Sequence, residues 1–141
     1  MAQYDAQSNN KSNRNVRQYT DLDLFFGKKS SNSDVQELTD IKAVKRSIRN
    51  LVLLNHYEKP FHPEIGSNLR GMLFENITPQ MSHAISKEIG LLIENFEPRA
   101  KLVQISTMPQ FDRNAYAATI SFYVQNSPDR IIVESFLERL R

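Results

Sequence analysis

The hydrophobic positions of this chain change their spacing once, near residue 97. Before that point, apolar residues recur every three or four positions, the spacing of one helical face. After it they alternate with polar residues, the spacing of a half-buried strand. Helices followed by strands predict an α+β domain, in which about three helices pack on a small antiparallel sheet. The apolar positions that carry the helical spacing are Ile41, Val44, Ile48, Leu51 and Val52, then Met81, Ile85, Ile89, Leu92 and Phe96.

Start and stop signals place the three helices. The first is predicted from Asp40, as N-cap, to about Asn55, with Lys and Arg on the opposite face. A stretch with two prolines and a glycine follows, and Ser67 then caps a short second helix. The third has the clearest start, since Thr78 can cap it and Pro79 suits the first helical position.

The third helix is predicted to stop at Glu97-Pro98-Arg99, because proline disfavours helical geometry in the residue before it. This stiff corner could present two opposite charges to another chain, or it could be a plain helix stop with a local ion pair. Strands follow around Val103–Ile105 and over Tyr116–Val124. The last segment, Ile131–Arg141, fits a strand or a helix, and the short turn before it favours a C-terminal hairpin.

The N-terminal region is predicted to be an extended, partly disordered arm over residues 1–33, followed by one compact domain over 34–141. Its first 20 residues are rich in Asn, Gln, Ser and Arg. Within the arm, an apolar island over 22–26 includes Leu24, Phe25 and Phe26. The island can fold back on the chain's own core, or it can anchor the arm in a groove of a partner. The sequence leaves both possibilities open.

Composition narrows the function classes. The net charge of +2 is small for a protein that coats phosphates, so no nucleic-acid partner is expected. The absence of Cys removes disulfides, thiolate nucleophiles and zinc–thiolate sites. The N-terminus lacks the apolar core of a secretory signal, and no apolar run approaches the ~20 residues of a membrane span. We therefore expect no membrane partner.

The sequence offers little support for a catalytic, metal-binding or nucleotide-binding site. Glu64, Glu75, Glu97 and Asp112 could supply a carboxylate pair for glycoside hydrolysis, but any chain with 16 acidic residues supplies such pairs. His56, His62 and Glu64 lie in one loop, although their spacing matches no compact metal motif. Phosphate-binding and nucleophile-elbow motifs are lacking. We expect no enzyme activity, no small-molecule substrate, no cofactor and no metal.

A set of motifs in a fixed order gives a more specific indication. A helix reading AVKRSIRNLVLLN is followed by a proline-rich loop, SNLRGMLFENI, a helix that ends in ENFEPRA, and paired strands. In this order the chain resembles, over about Leu22 to Arg141, the small baseplate wedge protein of contractile-tailed phages. The same family includes the type VI secretion baseplate subunit, and it has been called lysozyme-like. The loop after the first helix departs from the family pattern, so no contact is assigned to it.

The resemblance implies a structural protein of the tail baseplate, located in the virion and assembled in the host cytoplasm. Its partners would be other wedge proteins and the first ring of sheath protein. By resemblance, Glu97, Pro98 and Arg99 would contact the helical core bundle of the wedge, and an Arg99→Glu variant would fold but fail to join it. The last strand, with Ile132, Phe136 and Leu140, would face the sheath and help to initiate its assembly. The alternative is a peptidoglycan hydrolase, a tail lysozyme with paired carboxylates.

Overall fold

Two layers make up the fold, helices on one face of an antiparallel sheet, which confirms the predicted α+β class. The structure is a computed structural model that describes residues 19–28, 34–125 and 130–138. Its helices are α1 (Ile41–Leu53), α2 (Leu69–Met72) and α3 (Pro79–Phe96), and a 3-10 turn spans Phe111–Arg113. Its strands are β1 (Thr20–Leu22), β2 (Glu37–Thr39), β3 (Ala100–Gln110), β4 (Ala115–Val124) and β5 (Arg130–Glu138).

Local sequence signals explain where α3 begins and ends. Thr78 Oγ1 accepts a hydrogen bond from the backbone N–H of Met81 at 3.1 Å, and Pro79 occupies the first turn, as predicted. The helix stops at Phe96, directly before the Glu97-Pro98 pair. Its buried residues face the sheet and α1, and they are Ser82, Ile85, Ile89, Leu92 and Ile93.

Of the other two predicted caps, the N-cap position of Asp40 in α1 is confirmed, whereas the predicted Ser67 cap of α2 is wrong by one residue. Asp40 is the N-cap of α1, but its φ is 47° and its side chain makes no capping hydrogen bond. The Asp40 carboxylate accepts a hydrogen bond from the backbone N–H of Tyr19 at 3.3 Å instead. In α2 the N-cap is Asn68, and the neighbouring Ser67 accepts from Leu69 N–H at 3.4 Å. Both helices therefore rely on packing more than on capping.

The main sheet has the order β3-β4-β5, with all strands antiparallel, so the last segment forms the predicted hairpin. Strand β4 lies in the middle and supplies the centre of the core. Its core-facing side chains alternate along the strand as predicted, and they are Tyr116, Ala118, Ile120, Phe122 and Val124. In β3 the predicted alternation fails at Val103, because a bulge between Leu102 and Gln104 leaves this side chain exposed.

A second, two-stranded sheet joins the end of the arm to the domain. Strand β1 pairs antiparallel with β2, from Thr20 opposite Thr39 to Leu22 opposite Glu37. This pairing crosses the predicted division at residue 34, and the division itself stays a prediction. Within the described ranges, no helix has the length and apolar character needed to cross a membrane.

Candidate functional site: a charged corner, a strand edge and an apolar turn

The corner that follows α3 is built around a buried carboxylate. Glu97 is only 2% exposed, and the side chain of Arg99 reaches it with two hydrogen bonds. Arg99 Nε donates to Glu97 Oε1 at 2.6 Å, and Nη2 donates to Oε2 at 2.8 Å. This fork-to-fork geometry is the strongest form of an Arg–carboxylate pair. Pro98 places the two side chains side by side, since it fixes the backbone between them.

The same guanidinium holds the arm. Arg99 Nη1 donates to Asp21 Oδ2 at 3.2 Å, so one side chain bridges residues 78 positions apart. The Arg99 guanidinium also lies over the ring of Tyr19, 5.5 Å from its centroid, within the range of a cation–π contact. Arg99 therefore joins the end of α3 to β1 as well as to its neighbour Glu97.

Charge pairing decides the protonation of this corner. Burial raises the pKa of Glu97, but hydrogen bonds from Arg99 and Ser47 and the Arg99 charge outweigh it, so the pKa is lowered from 4.5. The hydrogen bonds with Glu97 raise the pKa of Arg99 above its ordinary value. Both groups are therefore charged at neutral pH, and the pair is held as an ion pair.

A partner can contact fewer residues of the corner than the sequence suggested. Glu97 faces the protein interior, whereas Pro98 is exposed and Arg99 partly so. Beside them lies a cleft of about 730 Å³, whose walls include Glu94, Lys101 and Tyr123. The assignment of the corner to partner contact stays a prediction, and the exposed Pro98 with this cleft is the part that can be touched.

The free edge of β5 can be assigned residue by residue. Gln125 donates its backbone N–H to Arg99 O at 3.0 Å, so odd-numbered residues of β4 point their backbone groups toward β3. Even-numbered residues of β4 then direct their backbone hydrogen bonds to β5. In the register they lie opposite the odd-numbered residues from Ile131 to Leu137. The even-numbered residues of β5 therefore turn their N–H and C=O groups to the open edge. Among them are Ile132 and Glu134.

The other edge of the sheet, β3, is partly protected against strand addition by a proline. Pro109 lies in β3 opposite Tyr116, a position where the backbone nitrogen points away from β4. A proline there removes an N–H from the β3 edge, which is a common protection of exposed strands. Strand β5 contains no proline. Of the two edges of this sheet, β5 thus keeps all of its outward donors, whereas β3 lacks one of them.

Two of the three predicted sheath-facing residues, Ile132 and Phe136, lie in the strand that forms this open edge. Ile132 is 51% exposed, a large exposure for a β-branched side chain. Phe136 lies opposite Ala117 of β4 in the register and, as an even-numbered residue, turns its backbone N–H and C=O groups to the open edge. Leu140 lies outside the described residues. Their assignment to a partner stays a prediction.

The apolar island forms a tight turn whose side chains face solvent. Phe25 and Phe26 are each 71% exposed and Leu24 is 59% exposed, so these side chains do not fold onto the core. The turn itself is held firmly: Asp23 is buried, and its carboxylate accepts from Phe25 N–H at 3.2 Å and pairs with Arg46 at 3.4 Å. The Arg46 guanidinium lies 4.2 Å from the centroid of the Phe25 ring.

The carboxylates considered for hydrolysis do not show the environment of a general acid, which needs a raised pKa. Glu97 has a lowered pKa, and so does Glu64, whose carboxylate accepts from its own backbone N–H and pairs with His62 at 3.1 Å. Glu75 and Asp112 are exposed. Over the described ranges, no group of three or more His, Asp or Glu side chains could hold a metal ion.

Sequence reasoning missed the contributions of Tyr19, Asp21 and Ser47 to the corner. No periodicity links residues 21 and 99, because their contact depends on β1 returning to β2. A weak signal exists in the alternation of charge and apolar residues over Asp21-Leu22-Asp23-Leu24, which is typical of a short strand.

Comparisons with known proteins agree with the resemblance seen in the sequence. Residues 39–129 match the family model described as "Baseplate wedge protein gp25". The protein of that name from Enterobacteria phage T4 is 30% identical over 113 residues, which cover 80% of this chain and 85% of the relative.

Two solved structures share the fold. A crystal structure from Geobacter sulfurreducens, described as a candidate tail lysozyme, has a TM-score of 0.63 at 18% identity and covers 70% of this chain and 89% of its own. A cryo-EM structure of the anti-feeding prophage baseplate contains a chain with a TM-score of 0.60 at 19% identity, covering 87% of both chains.

Proposed function

The chain belongs to the baseplate wedge protein gp25 family and is a structural component of a contractile-tail baseplate wedge, and from this premise we propose two separate docking surfaces. The corner at Pro98 and Arg99, with its cleft, docks on the helical core bundle of neighbouring wedge proteins. The open edge of β5 receives a strand of the first sheath ring and so initiates sheath assembly. The protein works in the tail of the virion and is assembled into it in the host cytoplasm.

The observation that carries the proposal is the asymmetry of the sheet. Strand addition at an edge binds a partner through main-chain hydrogen bonds, and it needs an edge with unblocked donors. Pro109 blocks a donor of β3, whereas β5 leaves its even-numbered N–H groups available. An unprotected edge is an aggregation hazard for a free protein, so a partner that covers it in the assembled particle explains why it is left open.

The corner suits docking for a different reason. Its backbone is fixed by Pro98 and its charged side chains are already ordered by the Glu97–Arg99 pair. A preordered surface loses less conformational entropy when it binds. The apolar turn with Leu24, Phe25 and Phe26 is a further candidate contact with a wedge protein, because its exposed aromatic side chains sit on a turn that is already held in place.

The strand edge is tested by removing one outward donor. Ile132→Pro deletes an N–H that points away from β4, and Ile132→Ala is the matched control that keeps it. In a reconstitution of wedges and sheath, we expect the proline variant to join wedges but to nucleate no sheath, and the alanine variant to support both. Normal sheath nucleation by a folded Ile132→Pro protein would overturn this assignment.

The corner is tested by reversing an exposed charge in the cleft without disturbing the buried pair. Lys101→Glu should reduce incorporation into wedges, while Lys87→Glu, an exposed position on α3 that does not line the cleft, should not. Equal incorporation of both variants would count against a bundle contact at this cleft.

The hydrolase alternative is excluded or supported by a direct assay. Folded protein should clear peptidoglycan if the alternative holds, and Glu→Gln changes should abolish the clearing. The lowered pKa values of Glu64 and Glu97 favour the structural role, since neither side chain holds a proton at neutral pH.

A further inference from the structure

A row of cations lies next to the open edge of β5. Helix α1 and β5 form the walls of a surface groove of about 350 Å³, into which Lys42, Lys45, Arg46 and Arg49 extend from the helix. The strand side of the groove consists of Ile132, Val133 and Glu134. A strand that adds to β5 next to residues 132–134 would therefore lie close to these cations.

The row is short of negative charge. Helix α1 contains no Asp or Glu, although such helices commonly balance their cations at i,i+4 positions. Within the parts of the chain that the structure describes, no carboxylate pairs with Lys42, Lys45 or Arg49, and Arg46 alone has a partner, Asp23. The wall next to the edge thus carries a clear positive excess.

The position of α1 decides which side chains of an added strand would meet these cations. The helix packs on the core face of the sheet, the face of Val133, whereas Ile132 and Glu134 lie on the opposite face. Side chains of an added strand alternate between the two faces. Every second side chain would therefore point toward α1, and the others would lie beside Ile132.

We propose that the strand received by the β5 edge carries acidic side chains at alternate positions, where they pair with the cations of α1. The inference rests on the proposed strand addition and adds the chemistry of the partner. The row from Lys42 to Arg49 spans about 10 Å of helix, and alternate side chains of a strand are about 6.7 Å apart. Two acidic residues spaced i,i+2 therefore fit the row.

The chain's own ends are poor candidates for this place. Residues 1–18 contain a single carboxylate, Asp5, against Lys11, Arg14 and Arg17, and residues 139–141 contain two arginines. Like charges at close range oppose binding. Charge complementarity thus points to a segment of another protein.

The test uses the full-length protein and three labelled peptides of equal length, measured by fluorescence anisotropy. One peptide alternates Glu with Val and Thr, the second has the same composition with its Glu residues grouped at one end, and the third has Gln in place of Glu. We expect the alternating peptide to bind about fivefold more tightly than the Gln peptide at low salt. Its advantage should shrink as salt rises.

Charge variants locate the effect. Lys42→Gln/Lys45→Gln should remove most of the preference for the alternating peptide, whereas Lys59→Gln/Lys87→Gln, which changes the net charge equally at exposed positions outside the groove, should retain it. Equal binding of the Gln and alternating peptides would overturn the inference, and so would an equal preference for the grouped peptide. A single-stranded oligonucleotide that binds the row while the acidic peptides do not would also overturn it, in favour of a phosphate partner.

The Ile132→Pro variant separates this inference from the proposed function. If that variant blocks sheath nucleation while the peptides show no charge preference, strand addition stands and the acidic pattern is wrong. If Ile132→Pro nucleates sheath normally, the strand-addition site itself is wrong, whatever the peptides show.

Discussion

Arg99 neutralises a carboxylate that has almost no contact with water. Glu97 is 2% exposed, and both of its oxygens accept from the Arg99 guanidinium. A buried ion pair adds little stability relative to an apolar pair, but its two halves depend strongly on each other. Removing one half of the pair would therefore destabilise the fold. Variants of the Glu-Pro-Arg corner must be interpreted with both folding and docking in mind.

Arg99→Leu tests this dependence. It leaves the Glu97 carboxylate buried without a counter-ion, and we expect the free energy of unfolding to fall by about 3 kcal/mol, the lower end for a broken buried pair because Arg99 is partly exposed. The measurement is urea denaturation at pH 7. The double variant Glu97→Gln/Arg99→Leu should recover part of the loss, since no charge is then stranded.

This outcome would revise the expectation that Arg99→Glu leaves the isolated fold intact, because that change places a second carboxylate beside the first. Unfolding of Arg99→Leu at the same urea concentration as the wild type would show that water or another group satisfies Glu97.

The lowered pKa of Glu97 predicts a pH dependence. Because the folded-state pKa lies below the ordinary value of 4.5, the stabilisation is fully present above that value and is lost as the pH falls through the folded pKa. We expect the difference in unfolding free energy between wild type and Glu97→Gln to shrink as the pH is lowered from 7 toward 3. A difference that stays constant over that range would show that the carboxylate is not preferentially charged in the folded state.

At the scale of elements, the sequence specified α3 better than it specified α1. Thr78 and Pro79 act locally, within one turn of the helix they start, so the pattern alone was sufficient. Asp40 is also a favoured capping residue and also occupies the N-cap position, yet its carboxylate binds Tyr19, which lies 21 residues away. A competing long-range donor cannot be read from a local motif, and β1 was missed for the same reason.

Thr78→Ala tests the local part of this account. It removes the acceptor of the Met81 N–H bond, and we expect a loss of about 1 kcal/mol in unfolding free energy. Thr78→Ser keeps the hydroxyl oxygen and should stay close to the wild type. Chemical denaturation of the three proteins gives the comparison, and an alanine variant as stable as the serine variant would show that packing against the sheet alone fixes the start of α3.

At the scale of the whole molecule, the antiparallel sheet and its C-terminal hairpin followed from alternation and a short turn, whereas the functional asymmetry of the two edges did not. This asymmetry depends on whether each backbone N–H of an edge strand points to the neighbouring strand or to solvent. That direction depends on the register, which the bulge at Leu102/Gln104 shifts in β3. Pro109 was visible in the sequence, but its protective effect has meaning only once β3 is known to be an edge.

The predicted division at residue 34 is tested with three chains: the full sequence, residues 19–141 and residues 34–141. The last lacks the β1–β2 pairing, the Asp21–Arg99 contact and the Asp23–Arg46 pair. These are partly exposed interactions of roughly 0.5–1 kcal/mol each, so we expect the 34–141 chain to fold but to be about 2 kcal/mol less stable than the 19–141 chain. Urea denaturation followed by far-UV circular dichroism measures the difference. Asp21→Asn in the full chain should reproduce one part of that loss. If 34–141 matches 19–141, the predicted division at residue 34 is the true boundary of the domain, and β1 is only an arm resting on it.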